Sequence, residues 1–133
     1  MDGLPLRHVL DVRHASFMTP AYLKLARQYA CATVFAHTDE HPSFADLTGD
    51  FVYARLMRCE SALPSGYAPE ALDAWAERAR VWASGAEPAD LPRVENTAAT
   101  AHVAQPRDVF MFFISGAKER APAAAVELLK RLA

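Results

Sequence analysis

The sequence predicts an α/β domain of alternating β-α units with about four parallel strands. Three observations predict it. Short runs rich in β-branched and aromatic residues, such as Thr33-Val34-Phe35-Ala36 and Phe51-Val52-Tyr53-Ala54-Arg55-Leu56, read as strands. Between and after them lie longer stretches whose apolar residues recur at helical spacing. The last strand-like run, Asp108-Val109-Phe110-Met111-Phe112-Phe113-Ile114, is apolar at successive positions, the pattern of a parallel strand covered on both faces.

The first strand is expected from Arg7 to Val12. The helix after it opens with Thr19 as N-cap and Pro20 at the first helical position, and Tyr22, Leu23, Ala26, Tyr29 and Ala30 form its core stripe. Thr33 to Ala36 is the second strand, followed by a polar loop from His37 to Asp50, and Phe51 to Leu56 is the third. Pro69 starts the second helix, with Leu72, Trp75, Ala76, Ala79, Trp82 and Ala83 on its apolar face and Gly85 as its stop. From Gly85 to Arg107 the chain lacks periodicity and reads as a flexible surface excursion in which deletion is tolerated. The final helix runs from Pro122 to Leu132, with Lys130 and Arg131 at the end where cations suit the helix dipole.

The 133 residues, 52% hydrophobic and 23% charged, suffice for one domain with a real core. A net charge of -2 argues against nucleic-acid binding, which needs a clustered excess of Lys and Arg. No apolar run approaches the ~20 residues of a membrane span, and the first residues lack signal-peptide character. Cys31 and Cys59 form neither a CxxC pair nor a zinc pattern, so no cofactor or metal is expected and the location is expected to be cytoplasmic. About four strands make an open sheet or half of an eight-stranded barrel, because a complete (β/α)₈ barrel needs about 250 residues.

Asp11 and Arg13 share one strand face by alternation, as do Tyr53 and Arg55, and Phe35 and His37. All sit late in their strands, and in barrel-like sheets the C-terminal strand ends form the ligand face. Asp11, Arg13, His37 and Arg55 are therefore expected around one mouth. One carboxylate cannot neutralise two guanidinium groups, which leaves a bound phosphate or carboxylate, or a ligand-free ion-pair network, as readings of the excess charge. His37 or His14 can act as a histidine base. His37, Asp39 and His41 read as a solvated turn, with a metal site as the alternative. Ser115, Gly116 and Lys118 follow the last strand and precede a helix, where barrels often hold phosphate.

Four blocks carry a resemblance over nearly the whole chain: LDVRHASF (Leu10 to Phe17), FVYARL (Phe51 to Leu56), SGY with the Trp-containing helix (Ser65 to Trp82), and RDVFMFFISGAKERAPAAA (Arg107 to Ala125). Together they resemble the C-terminal half of the domain of unknown function 72 family, also called YecE-like. The resemblance implies a partial TIM barrel and, as the family name says, no assigned activity. The family often has Glu where Asp11 stands and Asp where His37 stands. Its N-terminal half has no counterpart in these residues, so a homodimer or a partner chain supplying the missing half is expected. Two functional readings remain open. In one, the strand ends bind or hydrolyse a small anionic ligand, with Asp11 and His37 catalytic and Arg13, Arg55, His14, Ser115, Gly116 and Lys118 binding it. In the other, the chain is a non-catalytic half-barrel module or a fragment without independent function.

Overall fold

The computed structural model describes residues 7–94, 106–114 and 117–133, the side chain of Lys118 excepted. Four strands alternate with three helices: β1 (Val9–Leu10), α1 (Pro20–Gln28), β2 (Ala32–His37), β3 (Phe51–Leu56), α2 (Pro69–Ala83), β4 (Asp108–Phe113) and α3 (Ala121–Leu132). The strands form one parallel sheet in the order β1-β2-β3-β4. Parallel strands in sequential order, with helices following three of them, are the arrangement of half a TIM barrel, as the sequence predicts.

The pairing register decides what each face carries. Phe35 lies beside Ala54 and Ala54 beside Met111, while His37 lies beside Leu56 and Leu56 beside Phe113. These residues face the helices, where Trp75, Trp82, Leu72 and Leu128 complete the main core. The other face carries Val34 beside Tyr53 beside Phe110, and Ala36 beside Arg55 beside Phe112. Phe110 and Phe112 are 39% and 42% exposed. The expectation that β4 is covered on both sides is thus corrected, because among the described residues the helices lie on one face only. The open face is concave: Arg7, just before β1, reaches Asp108 at the start of β4 with 2.8 Å between Nη2 and Oδ2. Its guanidinium lies over the rings of Phe51 and Phe110 on the way.

β1 is shorter than expected. After Leu10 the chain leaves the ladder, and a 3₁₀ turn at Ala15–Phe17 leads into α1. The caps of α1 follow the sequence: the Thr19 hydroxyl accepts the Tyr22 N–H at 3.1 Å, and Pro20 opens the helix. Tyr22, Leu23 and Ala26 are buried with Phe44 in a second cluster. Tyr29 and Ala30 do not extend this stripe, because the helix ends at Gln28 and Tyr29 is 67% exposed.

α1 and α2 end in the same hydrogen-bond pattern. At α2 the Ala86 N–H returns to Val81 O and the Gly85 N–H to Trp82 O, with Gly85 at φ 98°. At α1 the Cys31 N–H returns to Ala26 O and the Ala30 N–H to Arg27 O, with Ala30 at φ 53°. This closure needs a left-handed residue, which glycine adopts freely and alanine does not.

No helix links β2 to β3. The stretch expected to be a polar loop is instead buried from Phe44 to Thr48, with Asp46 only 3% exposed. Its backbone and side chains are tied from outside. Pro92 O accepts the Ala45 N–H at 2.8 Å, and Asp46 Oδ1 accepts the Val94 N–H at 2.7 Å. Leu91 and Val94 pack on the two core clusters, and Arg93 pairs with Glu87 at 2.8 Å. Residues 86–94 of the expected excursion therefore cover this segment. Deleting them would remove the Val94 N–H from a buried carboxylate and the Leu91 and Val94 side chains from the two clusters, so the expected tolerance to deletion does not extend to them. The remainder, 95–105, lies outside the described residues.

Replacing Ala30 by Gly is expected to stabilise the protein by about 0.5–1 kcal/mol by relieving the left-handed strain. Urea unfolding of the two proteins reads it, and an unchanged or lower midpoint would contradict that account of the α1 terminus.

Candidate functional site

The open face ends, at the C-terminal side of the strands, in a cluster of three charges. Asp11 lies just past β1, where the alternation begun by Val9 beside Ala32 turns it toward Arg55. Its Oδ2 accepts from Arg55 Nη1 at 2.9 Å and from Arg13 Nη2 at 2.8 Å, with Arg13 Nε at 3.3 Å. The Arg13 hydrogen bond holds the Asp11 carboxyl below its ordinary range, and the charge of Arg55 adds to this. Arg55 is the best enclosed of the three. Its Nε is buried and has no hydrogen-bond partner among the described residues. Glu40 adds a weaker attraction on Arg13. Two guanidinium groups converge on one carboxylate oxygen, which supplies donors in excess of acceptors.

His37 does not join this cluster. The register that sets it beside Leu56 turns its ring to the helix face, 5.0 Å from the Trp75 ring and 5.7 Å from Tyr67. The expected common mouth of Asp11, Arg13, His37 and Arg55 therefore holds only the two arginines and the aspartate. Burial, reinforced by the positive charges of Arg58 and Arg78, lowers the His37 pKa to about 4. Its Nδ1 lies 3.2 Å from the Tyr67 hydroxyl, which accepts the Arg58 backbone N–H at 2.9 Å. Burial in turn pushes the Tyr67 phenol well above its ordinary range. His37 is thus a neutral, aromatic-packed imidazole at neutral pH, which can accept a proton but faces away from the arginines.

The remaining candidates separate. His14 Nδ1 accepts the Ser16 N–H at 3.1 Å and caps the 3₁₀ turn. Asp39 pairs with Arg58 at 2.5 Å. His41 Nδ1 donates to the Pro42 carbonyl at 3.0 Å, which leaves its buried Nε2 without a partner among the described residues. A hollow of about 290 Å³ lies beside it, walled by His37, Ser43, Arg58 and Leu91. Among the described residues no three His, Cys, Asp or Glu side chains gather in a metal-binding group. Ser115, Gly116 and the Lys118 side chain lie outside the described residues; the Lys118 backbone opens a 3₁₀ turn before α3. Cys31 and Cys59 are free thiols, and burial raises the Cys59 pKa, which makes it a poor nucleophile.

Sequence reasoning missed Arg58 and Trp75 as the surroundings of His37. Alternation gave Phe35 and His37 a common face, and the apolar character of Phe35 was the signal that this face packs on a helix. The family model described as "Protein of unknown function DUF72" matches residues 1–133. The chain belongs to the DUF72 family. Neither a curated protein nor a solved structure matches it. In this DUF72 protein no helix among the described residues is long and apolar enough to cross a membrane.

Because His37 binds its proton at a lower pH than the unfolded chain does, its contribution to stability is complete above about pH 6.5. That contribution falls as the pH drops from about 6.5 toward 4, and the ring's partial solvent access reduces it to about 1–2 kcal/mol. His37→Gln is therefore expected to flatten the stability loss in this window, as read by urea unfolding at intervals between the two pH values. Parallel pH profiles for the two proteins would refute a neutral buried imidazole.

Proposed function

We propose that this DUF72 protein binds a small anionic ligand, bearing phosphate or carboxylate, at the C-terminal strand ends of its open face. The observation that carries the reading is the convergence of Arg13 and Arg55 on the single Oδ2 of Asp11, with the buried Arg55 Nε left over. An oxyanion that offers two oxygens, a phosphate or a carboxylate, takes up guanidinium donors that a single carboxylate oxygen leaves over. The position agrees with the general rule that parallel α/β sheets bind ligands beyond the carboxyl ends of their strands. Asp11 then orients the two guanidinium groups, and Arg55 is the principal contact. In this reading the chain supplies the ligand-binding strand ends of the C-terminal half of a YecE-like barrel, and the order of the four sequence blocks supports that placement.

Hydrolysis has less support, because His37 faces the helices and the one carboxylate in contact with both arginines, Asp11, is held by them as an ion-pair partner and a weakened base. A non-catalytic binding site is therefore the form of the proposal that the geometry favours.

Inorganic phosphate at ten times its dissociation constant is expected to stabilise the protein by about 1.4 kcal/mol, a rise of about 4 °C in Tm. Arg55→Met should abolish the shift, whereas Lys24→Met, on the exposed side of α1, should retain it. Absence of a shift with phosphate, sulfate and small dicarboxylates alike, in scanning fluorimetry at constant ionic strength, would overturn the proposal.

A further inference from the structure

The large apolar side chains that stand exposed among the described residues are not scattered. They are Val9 and Leu10 of β1, Phe17 in the turn after it, Leu25 and Tyr29 at α1, Phe110 and Phe112 of β4, and Val126, Leu129 and Leu132 of α3. All belong to the first and last βα units. The central elements β2, β3 and α2 contribute none. Each flank combines a strand edge that is unpaired among the described residues with an apolar helix surface, and beside β4 an apolar hollow of about 220 Å³ opens between Met111, Leu128 and Leu132. A free parallel edge requires a neighbouring strand of the same direction, and an apolar helix stripe requires a second helix.

We infer that a second copy of this chain closes the sheet, with β4 and α3 of each copy lying against β1 and α1 of the other. A two-fold axis along the strand direction makes all the added pairings parallel and satisfies both edges of both copies at once. The strand count is then that of a closed barrel, in which the concave face becomes the packed interior. The two edges are also complementary in charge. Arg7 stands at the start of β1 and Asp108 at the start of β4, and within one copy they already meet across the concave face. Closure brings the Asp11, Arg13 and Arg55 clusters of both copies to the same end of the barrel. The inference does not depend on the anion reading, because it rests on the flanks and not on the arginines.

Light scattering coupled to size exclusion tests it on the 133-residue chain without phosphate. The expected mass is 29.2 kDa, twice the 14.6 kDa of one chain. Leu25→Glu on one flank and Leu129→Lys on the other are each expected to give 14.6 kDa with unchanged helical circular dichroism. Both residues are more than half exposed, so neither change disturbs the core. Ala83→Lys, at the exposed end of α2, should leave the mass doubled. Mixing the Leu25→Glu and Leu129→Lys proteins should restore the doubled mass, since a mixed dimer has one native contact and one Glu-Lys contact. A folded wild-type monomer overturns the inference, and that outcome includes the case in which a different chain supplies the other strands. A mass that climbs past two copies overturns closure, and failure of the mixture to recover overturns the head-to-tail pairing.

Discussion

The register that sets Ala36 beside Arg55 and Arg55 beside Phe112 is the constraint on which the rest of this structure depends. Strand side chains alternate strictly, so this pairing assigns every residue of three strands to one face or the other. It sends Phe35, Ala54, Leu56 and Phe113 to Trp75 and Trp82, and they become core. It leaves Tyr53, Arg55, Phe110 and Phe112 on the other side. A slip of one residue in β3 would bury the Arg55 guanidinium among tryptophans and expose Leu56. The cost of burying an unpaired charge is the reason the register is unique.

The helices cover only one of these faces, and the cover is uneven. Between β3 and β4 the helix α2 seals the core with two tryptophans. Between β2 and β3 the same task falls to irregular chain. Phe44 to Thr48 lie buried without a hydrogen-bonded ladder of their own, and a later segment serves their polar groups: Pro92 O for Ala45, Val94 N–H for Asp46. Thr48 adds a link to β2 through the Thr33 hydroxyl and the Cys31 carbonyl. Irregular backbone can be buried where side chains and neighbouring loops satisfy it.

Much of this was legible in the amino-acid order. The Trp-bearing stripe of α2, the Thr19-Pro20 start of α1 and the β-branched strands all follow from local spacing, which needs no knowledge of distant residues. What depends on two distant segments was not legible. Alternation showed that Asp11 and Arg13 share a face, and that Phe35 and His37 do. It could not show that these two pairs lie on opposite faces, because that is a property of strand register. Likewise Asp46 reads as a loop aspartate until Val94, far along the chain, is seen to donate to it. At the site, the Asp11–Arg13–Arg55 convergence was anticipated from charge counting, while the neutral state of His37 follows from aromatic neighbours that only the fold brings to it.

The Arg7–Asp108 contact bears on how the two edges behave over time. It spans the concave face as a strut between the ends of the sheet, and so biases the curvature of four strands that no closed ring constrains. Its side chains are 47% and 66% exposed, so the strut holds weakly and is screened by salt. An ion pair of this kind can be traded for an equivalent one with an adjoining edge at little net change in energy. The sheet is thereby held near its curved shape by a hold light enough to be let go and remade.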